Sequence, residues 1–379
     1  MIINNNPKII KILIVEDSPV ATIVLKRIFA PSAEIEVVGT ATNGLEALEL
    51  IPTLDPDVIC TDLHMAKMNG IEFTREVMLK FPRPILVISA SVQKKDTANV
   101  FKLLEAGAVD VFPKPETGLQ SDNDRLGKEL INKVKILSGV KVFTLHRNRI
   151  NYQEQKQLEI DRQTIKITPL ERLTKADAKP SSPLVTPSPL SSRIEVVAIG
   201  ASTGGPQALQ TILTELPANF PVPGICVQHI SQGFLEGLVS WLDSRSRVKV
   251  KIASAGELLQ AGVIYFPPEG HHLEVNSSGR CVCPAAPPVG GHRPSITVTF
   301  NSVARQYGSK AAGVLLTGMG RDGADGMLAI AGAGGWTVAQ NEATSIVFGM
   351  PKEAIALGAA QHILPITAIA PLLISKVRE

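Results

Sequence analysis

The stretch Glu195–Pro206, EVVAIGASTGGP, constrains the chain around it more than any other. A run of apolar, mostly β-branched residues passes directly into Gly200-Ala201-Ser202-Thr203-Gly204-Gly205, the pattern of a buried strand that stops in a tight glycine-rich turn. Pro206 then opens a helical pattern over Gln207–Leu216, because proline is tolerated in a first turn whose N–H would lack a partner anyway. Strand, Gly-x-Ser-x-Gly and helix predict an α/β sheet holding a hydroxyl at its carboxyl edge, beside backbone N–H groups able to stabilise an oxyanion. The same turn could bind an anion at a helix N-terminus with Ser202 as a cap. This segment alone does not separate the two.

Residues 8–140 show the same alternation. Apolar runs at Lys11–Val15, Ile35–Gly39, Val58–Thr61, Ile85–Ser89 and Val109–Phe112 are separated by periodic stretches such as Val20–Phe29 and Gly44–Leu50. Strands alternating with helices predict a doubly wound parallel sheet, since parallel neighbours need crossovers that cover both faces. Ligands of such sheets bind beyond the carboxyl ends of the strands. Glu16 and Asp17 stand there after the first run, Asp62 after the third, Ser89 after the fourth and Lys114 after the fifth. Carboxylates that close repel unless a cation or proton separates them, and an oxygen-only site suits Mg²⁺. An acceptor carboxylate beside Mg²⁺ and a lysine suits phosphoryl transfer onto aspartate.

Residues 8–140 resemble a response-regulator receiver domain, through IVEDS at Ile14–Ser18, TDLHMAKMNG at Thr61–Gly70, SAS at Ser89–Ser91 and KP at Lys114–Pro115. The resemblance implies a flavodoxin-like, five-stranded parallel sheet with Asp62 as phosphoacceptor. It makes Glu16, Asp17 and Asp62 the Mg²⁺ ligands, Ser89 the sensor of the phosphoryl group and Lys114 its partner. The sequence departs from the family at Met65-Ala66, where Met-Pro is usual, and at Val111, where a switch aromatic is common.

From Lys141 to Arg193 the periodic pattern dissolves, and Lys166–Ser192 is rich in Pro, Ser, Thr and charge. Such composition cannot bury enough apolar surface to offset its ordering entropy, so 141–192 is expected to be a flexible linker. Asn151–Ile160 could form a short helix, or the segment could carry a docking peptide.

Past this Gly-x-Ser-x-Gly turn, a nucleophile-elbow layout, come Ile225–His229, Val263–Phe266, a loop with His271-His272, and Ala312–Leu316 running into Thr317-Gly318-Met319-Gly320-Arg321-Asp322-Gly323. Ser202, His229 and Asp322 each follow an apolar run, as nucleophilic acyl transfer requires: histidine takes the serine proton and aspartate supports the imidazolium. The order Ser, His, Asp differs from the Ser, Asp, His of α/β-hydrolases. GMGRDG at Gly318–Gly323, with Glu342 about 20 residues on, also fits a dinucleotide fingerprint. A dinucleotide fold places that turn first in its domain, whereas here a complete strand–elbow–helix unit precedes it.

Residues 193–379 resemble the catalytic domain of CheB-type chemotaxis protein-glutamate methylesterases. The likeness is carried by IGASTGGP at Ile199–Pro206, VQHIS at Val227–Ser231, GHHLEV at Gly270–Val275, GHRPS at Gly291–Ser295, LLTGMGRDGA at Leu315–Ala324 and NEATSIVFGMP at Asn341–Pro351. It implies a doubly wound parallel α/β catalytic domain without a cofactor. In it Ser202 is the nucleophile, His229 the general base and acid, and Asp322 the orienting carboxylate. Met319 supplies a backbone N–H to the oxyanion, and Thr203 assists the histidine or that hole. The implied substrate is a glutamate methyl ester on a methyl-accepting chemoreceptor, with glutamine deamidation as a companion activity and a chemotaxis histidine kinase as phosphodonor. A receiver with a non-catalytic adaptor output is the alternative.

Composition narrows the partners. A net charge of +3 and 4% aromatic residues give neither the basic surface nor the stacking platform of a nucleic-acid binder. No apolar run reaches the roughly 18 residues that span a bilayer, and the start MIINNNPK has no signal-peptide core, so a cytoplasmic protein without membrane insertion is expected. Cys60, Cys226, Cys281 and Cys283 offer no paired zinc-ligand spacing and read as reduced thiols.

Overall fold

The computed structural model describes residues 8–89, 94–115, 120–140, 142 and 193–378, with the backbone alone for 94–99 and 120–124. The linker expected over 141–192, with its candidate helix at Asn151–Ile160, lies outside the described residues except for position 142.

The N-terminal unit runs β1 (Ile10–Val15), α1 (Pro19–Phe29), β2 (Ile35–Ala41), α2 (Gly44–Leu54), β3 (Val58–Thr61), α3 (Gly70–Lys80), β4 (Ile85–Ser89), α4 (Lys94–Ala106), β5 (Asp110–Pro113) and α5 (Gln120–Leu137). Its parallel sheet has the order β2-β1-β3-β4-β5. Helices cover both faces, so β1 is apolar from Ile12 onward, and Ile12 through Val15 are fully buried. The helices start at polar caps: Ser18 Oγ accepts from Ala21 N, and Asn43 and Asn69 cap α2 and α3. The fifth strand begins at Asp110, one residue later than expected, and sets Val111 opposite Val87 in the buried sheet.

The C-terminal unit runs β6 (Val196–Ala201), α6 (Gly205–Glu215), β7 (Gly224–Gln228), α7 (Leu235–Arg245), β8 (Lys249–Ile252) and β9 (Val263–Phe266). A small antiparallel ribbon, β10 (Glu274–Val275) and β11 (Cys281–Val282), precedes α8 (Ile296–Tyr307). Then follow β12 (Ala311–Leu315), α9 (Ala324–Gly332), β13 (Trp336–Gln340), α10 (Met350–Ala356), β14 (His362–Leu364) and α11 (Ile366–Lys376). The sheet order is β14-β13-β12-β6-β7-β9-β8, parallel throughout. From β6 the chain builds outward through β7 and then returns to lay β12 on the other side. The carboxyl end of β6 is therefore the topological switch point, where such sheets bind ligands.

Strands β8, β13 and β14 and the ribbon were not expected. β8 reads Lys-Val-Lys-Ile and lies at the sheet edge, where lysines block pairing with another chain and break the apolar run that would announce a strand. The helix after the elbow starts at Gly205 rather than Gln207, with Pro206 in its first turn. Gly204 has φ +76°, and a Cβ there would lie 2.6 Å from Ile346 Cβ, so both conformation and space demand glycine.

The two units meet. The Phe101 ring of α4 stacks on Trp241 of α7 with centroids 5.4 Å apart and planes at 20°. Glu105 accepts a hydrogen bond from Trp241 Nε1 at 2.9 Å and pairs with Arg245 at 2.8 Å. Gln207 Nε2 of α6 donates to the Ala108 carbonyl at 2.7 Å. All four cysteines are free; burial pushes the Cys60 and Cys281 thiols up to about 12 and keeps them protonated. Among the described residues no helix is long and apolar enough to cross a membrane.

Candidate active site

Two clusters of polar side chains stand at the carboxyl ends of the two sheets. In the first, carboxylate oxygens of Glu16, Asp17 and Asp62 all lie within 4.8 Å of one another. Asp17 is exposed, whereas Glu16 and Asp62 are buried. Lys114 Nζ sits 2.7 Å from Asp62 Oδ2 and 2.8 Å from Glu16 Oε2. Burial, reinforced by the charge of Asp62 and opposed by Lys114, raises the Glu16 carboxyl above its ordinary range. Burial also works against the Lys114 ammonium, yet its bonds to Asp62 and Glu16 outweigh that and raise its pKa. Glu16 Oε2 has no well-aligned donor despite the nearby ammonium. An oxygen-only set with a buried, under-bonded carboxylate fits a hard divalent cation. Ser89 ends β4, is buried, and its carbonyl accepts from Lys114 N at 2.9 Å. The sheet thus gathers all five residues expected at this edge.

The second cluster lies at the switch point. Ser202 follows β6, and its elbow is held through the backbone: Ser202 N donates to the Thr317 carbonyl at 3.0 Å, and Ser202 O accepts from Gly205 N at 2.7 Å. The Gln228 amide donates to both the Ser202 and His229 carbonyls, at 2.7 and 2.8 Å, tying the turn after β6 to the turn after β7. Gly318 packs against Ser202, where a Cβ would stand 2.6 Å from Ser202 Cβ. Its carbonyl accepts from Gly349 N and Met350 N at 3.1 and 2.9 Å, which fixes the turn carrying Met319. Met319 itself is 48% exposed. Thr203 is buried, and its carbonyl accepts from Thr317 Oγ1 at 3.0 Å.

His229 follows β7, and its Nε2 lies 2.9 Å from Asp322 Oδ2. Asp322 follows β12 and is seated at the N-terminus of α8. Its Oδ1 accepts from Ser295 Oγ at 2.8 Å and from Thr297 N and Gly323 N at 3.0 Å, while Oδ2 accepts from Ile296 N at 2.7 Å. Burial opposes ionisation, but the His229 bond and charge and the helix donors prevail, leaving the carboxyl well below the ordinary range. Facing an ionised carboxylate, Nε2 carries the ring proton, which leaves Nδ1 a bare acceptor. Nδ1 is buried and has no hydrogen-bond partner. It shares no bond with Ser202 Oγ in this structure, as is common for nucleophile–base pairs outside a substrate complex.

Sequence reasoning did not assign a role to His292, Ser295 or the N-terminus of α8. The His292 ring stacks on His229 with centroids 4.0 Å apart and planes at 3°. Burial, and then the charge of His229, lowers its pKa, so it presents a neutral face to that ring. Both residues lie in the GHRPS motif, and Ser295 before an apolar helical run is a cap signature that could have drawn notice. His271 and His272 part ways: His271 Nδ1 bonds the Glu269 carbonyl in its own loop, whereas His272 is buried against Ser295.

Comparison with known proteins follows the same division. A receiver-domain family model, "Response regulator receiver domain", matches residues 12–120, and "CheB methylesterase" matches residues 197–373. A protein-glutamate methylesterase/protein-glutamine glutaminase of Syntrophus aciditrophicus is 40% identical over 96% of this chain and 97% of its own length. Another, from Geobacter metallireducens, is 38% identical over 97% of this chain and 100% of its own. The crystal structure of the Thermotoga maritima CheB methylesterase catalytic domain is 37% identical, covers 48% of this chain and 99% of that one, and has a TM-score of 0.47.

Proposed function

Because the chain belongs to the CheB methylesterase family and carries a receiver domain ahead of the esterase, we propose that it demethylates glutamate methyl esters of chemoreceptors under the control of phosphorylation. Ser202, His229 and Asp322 are the triad. The observation that carries this reading is the His229–Asp322 pair at 2.9 Å with a buried, partnerless Nδ1 at the switch point. A non-catalytic adaptor has no use for such a base.

The Ser202 hydroxyl gives its proton to His229 Nδ1 while Oγ attacks the ester carbonyl. The Asp322 charge stabilises the imidazolium, and the backbone N–H of Met319, with Thr203 beside it, supports the oxyanion. Collapse of the tetrahedral intermediate breaks the C–OMe bond, and His229 returns the proton to the leaving oxygen, giving methanol. Water, deprotonated by the same nitrogen, then cleaves the acyl-serine to glutamate. With glutamine as substrate the leaving group is ammonia.

Asp62 is the phosphoacceptor, Ser89 and Lys114 contact the phosphoryl group, and a chemotaxis histidine kinase is the donor. Glu16, Asp17 and Asp62 would hold Mg²⁺, which would offset charge on the incoming phosphoryl oxygens. The receptor's cytoplasmic helices are the substrate surface, which puts the enzyme in the cytoplasm. The chain divides into a receiver over 8–140, a linker over 141–192 and an esterase over 193–379. The α4–α7 contact holds the receiver against the esterase beside α6, the helix that Ser202 precedes.

The test is methanol release from a methylated receptor, with and without a small-molecule phosphodonor. Release is expected to rise with the donor and to vanish in Ser202→Ala; turnover near wild type in that variant overturns the triad.

A further inference from the structure

We propose that Ser295 is a positioning residue for the triad, holding Asp322 so that Oδ2 faces His229. This role presupposes that Ser202, His229 and Asp322 are the esterase triad. The two oxygens of a carboxylate are chemically equivalent, and rotation about χ2 would exchange them. Three donors on one oxygen oppose that exchange: Ser295 Oγ at 2.8 Å, Thr297 N at 3.0 Å and Gly323 N at 3.0 Å converge on Oδ1, although the Gly323 N–H is shared with Thr297 Oγ1 at 2.8 Å. Two of these are backbone groups. Ser295 supplies the third through a side chain and at the shortest distance of the three.

Ser295 is also the N-cap of α8, but its bond from Val298 N is long, at 3.4 Å. Because that N–H donates, the single hydroxyl proton is free to go to Asp322. The better-formed bond of this hydroxyl is therefore the one to the triad, not the one to the helix.

The serine is itself clamped. Its N–H donates to His272 Nδ1 at 3.1 Å, and His272 Nε2 lies 3.1 Å from the Pro287 carbonyl. A carbonyl only accepts, so Nε2 carries the ring hydrogen and Nδ1 the lone pair. Ser295 is 0% and His272 1% exposed. Pro287, His272, Ser295, Asp322 and His229 thus form one chain of bonds ending at the catalytic base.

The experiment uses the full chain with a small-molecule phosphodonor and compares wild type, Ser295→Gly, Ser295→Ala and Ser202→Ala. Glycine replaces an N-cap serine with little loss of helix stability, whereas alanine does not, so the pair separates capping from positioning. Both Ser295 variants are expected to lose about tenfold in kcat per folded molecule, with KM little changed, as for a lost hydrogen bond to a charged group. The downfield proton resonance of His229 Nε2 should move in both. Should one variant fail to fold, the other carries the test. If kcat stays within about twofold and the resonance is unmoved, while Ser202→Ala is inactive, the positioning role is refuted and the triad stands. If kcat falls only in the alanine variant, Ser295 is a helix cap and nothing more, which also refutes it. Full activity in Ser202→Ala would instead remove the triad reading itself.

Discussion

Replacing Glu105 by alanine should release the esterase from its receiver without any phosphorylation. Glu105 accepts from Trp241 Nε1 at 2.9 Å and pairs with Arg245 at 2.8 Å, next to the Phe101–Trp241 stack. The Arg245 side chain is 50% exposed, so that ion pair contributes only about 0–1 kcal/mol after solvent screening. The indole bond to a carboxylate, sheltered by the stacked ring, adds about 1–2 kcal/mol. Losing both weakens docking by about 2 kcal/mol, and at about 1.4 kcal/mol per factor of ten the docked-to-free ratio falls roughly 30-fold. Where basal turnover follows the free fraction, methanol release without phosphodonor should rise by up to that factor. Its ceiling is the rate of the chain deleted to about residue 190, and a phosphodonor should add correspondingly less. Trp241 reports the change independently, because its fluorescence alters when the Nε1 bond is lost. A variant whose emission shifts while its basal rate stays within twofold of wild type would show that docking does not limit access. A truncated chain no faster than the unphosphorylated full-length one would lead to the same conclusion.

Within the proposed triad, Ser202→Ala and His229→Ala should each lower kcat by about 10⁶ and Asp322→Asn by about 10⁴, with the double variants no worse than the worst single one, as expected of residues that act as a unit; additive losses would contradict this. Phosphodonor labelling should require a divalent metal and disappear in Asp62→Asn, and labelling that persists in a chelator or maps to another residue would overturn the acidic-pocket assignment. The Asp322 carboxyl has a folded pKa below its unfolded value of about 4, so its stabilisation is present above that value and is lost as pH falls below it. Chemical unfolding should therefore show the gap in stability between wild type and Asp322→Asn narrowing from about pH 6 to about pH 3, and a gap that widens with acid would refute the assignment.

What the sequence disclosed follows from the geometry of parallel sheets. Every strand points the same way, so the residue after each apolar run falls at one edge, and Glu16, Asp62, Lys114, Ser202 and His229 could be grouped by reading run ends alone. Asp322 was reachable because its loop directly continues β12. Ser295 and His292 follow no apolar run, so reading run ends passes over them; the cap signature of Ser295 marks a helix start but does not show that the helix N-terminus meets Asp322. The Glu105–Trp241 bond joins positions 136 residues apart on two amphipathic helices. Each helix accounts for its own apolar stripe, so neither announces the other. Edge strands β8 and β14 escaped notice because a strand with one neighbour need not be continuously apolar.

The pairing of β6 with β12 also sets an order of events during synthesis. Ala201, the last residue of β6, and Ala311, the first of β12, are separated in sequence by everything from the Ser202 turn to the end of α8 and the turn after it. While the ribosome is still making that stretch, β6 is an open sheet edge of six buried-type residues, the kind of edge that recruits other chains. Ser202 and His229 emerge first, but Asp322 and the Met319 turn follow only with β12. The nascent chain therefore lacks part of the proposed triad and is most open to aggregation over the same interval, and both conditions end when one strand slots into place.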